Sequence, residues 1–296
     1  MSDIPSQEAT PVDETTMTNL IDVVRKYVNE RLIPLEPKIS EEDKIPEEVV
    51  QEMRDLGLFG LTIPQEYGGI GLNTEQECRV VMELGRTSPA FRSIFGTNNG
   101  IGSQGIVMDG TNEQKSYYLP KLASGEIIGS FALTEPEAGS DAGSLQTKAT
   151  LEGDEYVLNG TKRYITNAPN AQLFTVFART DPSTNNSRGV SAFLVDSKLP
   201  GISLGQPYKK MGQQGAHVCD VVFDNCRVPA AQILGGPEKI NQGFKSAMKT
   251  LDRGRIHISA LSVGCANRLI DLCLSYSVER KQFGQQIAEF QLLQGM

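Results

Sequence analysis

A chain of 296 residues with 39% hydrophobic and 22% charged residues is an ordinary folded protein, long enough for two or three cores and unlike a disordered or fibrous chain. Its 28 basic and 36 acidic side chains leave a net charge of −8, which argues against a nucleic-acid backbone or an anionic membrane surface as main partner. The 5 cysteines (Cys78, Cys219, Cys226, Cys265 and Cys273) contain no C-x-x-C, and His217 and His257 are the only histidines. A disulfide framework, a metal site and a Ser-His hydrolase therefore have too little to be built from, and both histidines read as structural or solvent-facing. A reducing compartment follows: cytoplasm, with the mitochondrial matrix also compatible.

Met1 to Met17 is polar and acidic, and residues 1–17 are expected to form a floppy tail without leader features. No run of about 18 apolar residues occurs, so no membrane insertion is expected. From Thr18 to Leu32, Leu20, Val24, Tyr27, Val28 and Leu32 recur at helical spacing until Pro34. A second helix starts at Pro46, with Glu47 and Glu48 in its first turn and Gly57 to close it. Leu58 to Leu72 reads as loop. Thr74 with Glu77, and Thr111 with Gln114, suggest capping boxes for two more helices, the first ending at Gly85. Residues 18–128 thus form an all-α domain.

At Ile127 the pattern changes to alternation and short turns: Lys148 to Leu151, Glu155 to Asn159, Thr161 to Thr166, Leu173 to Ala178, Val190 to Val195 and Val218 to Phe223. With turns at Glu152-Gly153-Asp154 and Asn159-Gly160, this predicts an antiparallel β-sandwich or barrel over residues 129–235. Helical periodicity returns for 236–296: one long helix reaches toward Phe283-Gly284 and a second begins near Gln286, the start of an incomplete helical bundle. The fold class is multidomain α+β.

Phe131-Ala132-Leu133-Thr134-Glu135-Pro136-Glu137-Ala138-Gly139-Ser140-Asp141 combines an apolar strand, a break at Pro136 and a small Gly-Ser pair. That pattern fits an anion cradle, and equally a plain structural turn. Tyr164 and Thr166 would put an aromatic ring and a hydroxyl on one strand face; an exposed hairpin is the other reading.

Together with Asn159-Gly160-Thr161-Lys162-Arg163-Tyr164-Ile165-Thr166-Asn167, Leu251-Asp252-Arg253-Gly254-Arg255 and Glu279-Arg280-Lys281-Gln282-Phe283-Gly284, this stretch occurs in the order and spacing of acyl-CoA dehydrogenases, which the chain resembles from about residue 18 to 296. The resemblance implies an FAD-dependent α,β-dehydrogenation of an acyl-CoA to a trans-2-enoyl-CoA, with electrons passed to an electron-transfer flavoprotein. It implies that Leu133 and Thr134 meet the pyrimidine end of FAD, that Ser140 serves the diphosphate and borders acyl-CoA, and that Tyr164 and Thr166 flank the isoalloxazine. The family often has Trp where this chain has Tyr164. Arg280, Gln282, Phe283 and Gln291 match positions that reach a neighbour's FAD in a homodimer or homotetramer; alone, Arg280 reads as a surface arginine and Phe283 as a core residue. Asp252 and Arg255 match the start of the substrate-contacting helix, although such a string also suits a solvated face.

The family's catalytic Glu is expected beyond Met296, or in a minority of members at the position of Gly254, and neither is filled here. Either the sequence is a fragment, the preferred expectation, or it is a non-catalytic paralogue that binds flavin or a partner. An oxidase is a third reading. Phe91-Arg92-Ser93 resembles the Tyr-Arg-Ser of glutaryl-CoA dehydrogenases, whose arginine pairs with a distal carboxylate; Gly96 stands where that group has serine, and a helix-end arginine is the plainer explanation.

Overall fold

The computed structural model describes residues 12–296. Residues 1–11 of the expected tail lie outside that range, but its last part is ordered. Helix α1 (Glu14–Tyr27) starts before Thr18 because the Asp13 carboxylate accepts from Thr16 N–H at 3.0 Å, and Met17 is buried. Pro34 does not end this helix. A π-turn at Val28–Leu32 takes up the register change and passes the chain into α2 (Ile33–Glu42), where Pro34 occupies the first turn and lacks only a donor the turn does not need.

Next come α3 (Glu47–Asp55), α4 (Thr74–Leu84), α5 (Pro89–Asn99), α6 (Gln104–Asp109) and α7 (Asn112–Ser124). The capping box of α4 is Asn73 with Gln76, one residue before the expected Thr74 and Glu77, because Asn73 has the extended backbone a cap requires. Glu77 is left free for another task. The box of Thr111 with Gln114 forms on α7 as expected.

One seven-stranded sheet follows: β1 (Gly129–Ala132), β2 (Lys148–Glu152), β3 (Glu155–Thr166), β4 (Leu173–Arg179), β5 (Val190–Asp196), β6 (Ile202–Leu204) and β7 (Val218–Pro229). Its pairings are mostly antiparallel, but β4 runs parallel to β1 and touches β2 in parallel at Lys148 and Arg179. Every residue of β4 is buried, in keeping with a near-continuous apolar strand between neighbours. Asn159-Gly160 is not a turn. It lies inside the continuous β3, where the register with β7 slips between Leu158 and Gly160. A second slip between Lys162 and Ile165 puts Tyr164 at φ 59°, so Lys162 and Ile165 both point inward and Tyr164 outward.

The long α8 (Gly243–Glu279) spans about 55 Å and crosses α4 at very close range. A Cβ on Gly264 would fall 2.1 Å from the Met82 carbonyl oxygen, and one on Gly85 would fall 2.4 Å from that of Leu261. Only glycines permit this approach. By length and composition α8 could cross a membrane, but Arg268 pairs with Glu36 and Arg86 with Asp271 along the same helix. Beyond α8 the expected helix at Gln286 is replaced by a hairpin, β8 (Lys281–Gln282) and β9 (Gln285–Gln286), whose turn residues Phe283 and Gly284 both have positive φ. Helix α9 begins only at Gln291 (Gln291–Gly295), and Phe283 is 95% exposed rather than in a core.

Candidate functional site

A cavity of about 750 Å³ opens between the end of β1, the segment after it, the bulged end of β3 and the first turns of α8. Leu133, Thr134, Ser140, Tyr164, Thr166 and Arg255 all line it, so six residues named from the sequence meet around one cavity. Asp252 pairs with Arg255 on the exposed side of α8. Arg280, Gln282, Phe283 and Gln291 lie at the far end of α8 and beyond, and line neither this cavity nor the adjoining one.

The wall is held from behind. Arg163 N–H donates to the Thr134 carbonyl at 2.8 Å, and the Lys162 ammonium donates to the Leu133 carbonyl at 3.2 Å. Lys162 also pairs with Glu135 at 2.7 Å, with both side chains buried. Glu135 accepts two further bonds, from the N–H groups of Gln146 at 2.5 Å and Thr147 at 2.9 Å. Burial pushes Lys162 down to about 8, against the opposing pull of Glu135. Burial would raise the Glu135 carboxyl, but Lys162 and the backbone donors outweigh it and leave it below the usual carboxylate range. The 2.7 Å contact and the two backbone donors to the carboxylate suit an ion pair. Just past this same end of β3, Asn167 in left-handed conformation donates from its amide to Ser93 O at 2.7 Å and Thr97 Oγ1 at 2.9 Å, fixing Thr166 against α5.

The hydroxyls of Thr134, Ser140 and Thr166 bond to no other protein side chain among the described residues, although all three line the cavity. Tyr164 adds a ring that is 56% exposed and packed at 4.9 Å from Tyr208. Free hydroxyls, a backbone loop rich in small residues and an aromatic edge suit a flat, acceptor-rich ring system joined to an anion.

A second cavity of about 540 Å³ adjoins the first through Ile101, Thr166, Leu251 and Arg255. Its floor is charged. His257, in the structural rather than the solvent-facing of its two expected roles, is buried and meets Glu77 Oε1 through Nδ1 at 2.5 Å, and the Arg92 Nε–H donates to its Nε2 at 2.6 Å. Arg253 lies 3.9 Å from Glu77, donates to Gln104 Oε1 at 2.8 Å, and has a buried Nε without a partner. Burial lowers the His257 pKa below its ordinary value, with Arg92 and Arg253 acting in the same direction against Glu77. Burial likewise lowers Arg92 to about 10. Glu77, Arg253 and His257 were not among the residues expected at the site. One signal was available in the sequence: Arg253 and His257 stand four apart on one face of a helix. Gly254 lines the same cavity, and of its lining residues and those of the first cavity, Glu77 and Asp141 carry the carboxylates.

Family profiles for the acyl-CoA dehydrogenase N-terminal, middle and C-terminal domains match residues 15–126, 130–226 and 241–296. A probable acyl-CoA dehydrogenase of Bacillus subtilis (strain 168) is 41% identical over 273 residues, covering 92% of this chain and 71% of the relative. An acryloyl-CoA reductase (NADH) of Anaerotignum propionicum is 42% identical over 274 residues, covering 92% and 68%. An acyl-CoA dehydrogenase of Bacillus anthracis, solved in complex with FAD, superposes with TM-score 0.87 at 32% identity, covering 99% of this chain and 50% of that one.

Proposed function

Because the chain belongs to the acyl-CoA dehydrogenase family of FAD-dependent oxidoreductases, we propose that its first cavity holds FAD, its second holds the acyl part of an acyl-CoA, and the protein interconverts that thioester and its 2-enoyl form. The observation that carries this is the sharing of Thr166 and Arg255 by both cavities, so that whatever fills one abuts whatever fills the other. FAD supplies the hydride acceptor. The chain's own residues bind and orient: Leu133 and Thr134 present the end of β1 to the ring's pyrimidine edge, where donors favour the charge of the reduced state. Thr166 offers its hydroxyl between the two cavities, Tyr164 covers the ring, and Ser140 meets the diphosphate and the edge of the thioester. Arg255, with Asp252 beside it, favours the ionised form of a carboxylate base. At the second cavity Gly254 offers no side chain for that role and Glu77 is engaged by His257.

Arg280, Gln282, Phe283 and Gln291, remote from both cavities of their own chain, suit a contribution to a neighbour's FAD in a homodimer or homotetramer. The segments 18–128, 129–235 and 236–296 are our division of the chain. The five free thiols suit a reducing compartment such as the cytoplasm or a mitochondrial matrix, and an electron-transfer flavoprotein is the proposed redox partner.

The test is anaerobic titration of the FAD-loaded protein with butyryl-CoA. Loss of the oxidised flavin spectrum supports the dehydrogenase; a spectrum unchanged by both butyryl-CoA and glutaryl-CoA, with FAD bound, favours the non-catalytic binding reading. Rapid peroxide release in air would favour an oxidase, and oxidation of NADH by the enoyl-CoA the reductase direction.

A second reading concerns the acyl group. Arg92 lines the second cavity, and among the described residues its side chain bonds to His257 Nε2 alone, which accepts. A distal carboxylate on the substrate would satisfy it, so Arg92→Ala should weaken glutaryl-CoA much more than butyryl-CoA.

A further inference from the structure

Glu77, His257 and Arg92 come from α4, α8 and α5 and converge in a chain of two short bonds, 2.5 and 2.6 Å, at the second cavity. The polarity of that chain is fixed. Arg92 Nε can only donate, so His257 Nε2 must accept; its single proton then sits on Nδ1 and is donated to the Glu77 carboxylate. The guanidinium is further confined by Gly96, where a Cβ would come within 2.5 Å of Arg92 Nε. Arg92 thus lies across a bare helix turn, tied at Nε to His257, while its terminal N–H groups bond to no side chain. Two arginines share one nearby carboxylate here: Glu77 lies 3.9 Å from the Arg253 Nε, which makes no hydrogen bond, and reaches Arg92 only through His257. One positive charge is left uncompensated in a largely buried place, which an anionic ligand end would balance.

We propose that Glu77 and His257 are positioning residues that hold Arg92 in the orientation that recognises an anionic acyl end, and that this recognition is lost when His257 takes up a second proton. It rests on the reading that the second cavity receives the acyl group. A doubly protonated ring has no acceptor for Arg92 and adds a charge beside two arginines. The groups that face the ring are Glu77 from α4, Arg92 from α5 and Arg253 from its own helix, so two of three oppose that proton. Recognition therefore persists at neutral pH and fails on acidification.

The experiment compares calorimetric binding of glutaryl-CoA and valeryl-CoA, five-carbon acyl groups that differ in a terminal carboxylate against a methyl, to the FAD-loaded protein. The parent should prefer glutaryl-CoA by roughly ten- to hundredfold, the worth of one or two bonds to a charged group. His257→Leu should remove most of that preference, and His257→Gln, whose amide can donate to Glu77 and accept from Arg92, should retain it. In the parent the preference should fall as pH drops below 6.5; in His257→Gln it should stay level. If Arg92→Ala removes the preference while His257→Leu keeps it, or if His257→Gln shows the same pH dependence as the parent, the positioning role is wrong and the carboxylate reading stands. If the parent has no preference, or keeps it in Arg92→Ala, the carboxylate reading itself fails and the positioning proposal falls with it. Should His257→Leu not fold, the His257→Gln pH series decides.

Discussion

Replacing Lys162 by Met tests whether the wall of the first cavity is held from behind by a buried ion pair. The ammonium is fully buried and serves two acceptors, Glu135 at 2.7 Å and the Leu133 carbonyl at 3.2 Å. Methionine fills similar volume, so the loss is electrostatic rather than a cavity. Stranding one partner of a buried pair costs about 3–5 kcal/mol. Glu135 keeps the Gln146 and Thr147 N–H groups, which places the expected loss near the lower end, about 3 kcal/mol. Adding Glu135→Gln removes the stranded charge, and the double variant should recover about half of that loss. Urea unfolding followed by circular dichroism measures the stability, and recovery of free-flavin fluorescence measures FAD retention. FAD should bind roughly tenfold more weakly, because the Leu133 and Thr134 carbonyls are no longer anchored together. A single variant within about 1 kcal/mol of the parent, with unchanged FAD affinity, would refute both the charged state of the pair and its role behind the wall.

Other perturbations bear on neighbouring parts of the site. Gly160→Ala should cost about 2–3 kcal/mol in urea unfolding, since φ is 154° and the new Cβ would meet Thr147 Cα at 2.7 Å. Gly254→Ala should do the reverse and stabilise α8 by about 0.5–1 kcal/mol, visible as a higher melting temperature, because its nearest neighbour, Ile101 Cγ2, is at an ordinary 3.5 Å. Asn167→Ala should cost about 2–3 kcal/mol and loosen substrate binding, as it removes the amide that ties β3 to α5. For pH, His257 is held below 6.5 by burial, so the unfolded chain takes up this proton first. Its contribution to stability is complete above pH 6.5 and declines as pH falls below that, a slope that His257→Gln should flatten in acid unfolding. Glu36 and Glu135, lowered from 4.5 despite burial by Arg268 and Lys162 respectively, lose stability in the same direction but at lower pH, which separates the two effects.

Much of the fold is legible because local signals agree with tertiary demands. Thr111 with Gln114 caps α7, Gly85 closes α4, and the apolar run Leu173 to Ala178 is a fully buried strand. The misreadings occur where context overrides a local rule. Pro34 sits in a first helical turn after a π-turn instead of ending a helix, and Asn159-Gly160, a strong turn signal alone, is absorbed as an irregularity within β3 by its pairing with β7. Phe283 looks apolar enough for a core, but its positive φ in a two-residue turn turns it outward.

The sequence by itself determined the family, the order of helical and β segments, and the six residues that meet at the first cavity, because those motifs are short segments whose chemistry is carried by adjacent residues. At the second cavity the sequence offered Arg92, Thr166 and Arg255, and only the tertiary structure brought Glu77 and His257 to Arg92. Glu77, Arg92 and His257 lie up to 180 residues apart and meet because Gly85 and Gly264 let two helices touch backbone to backbone. A long-range contact of that kind depends on the space left between elements, and spacing along the chain carries no record of it.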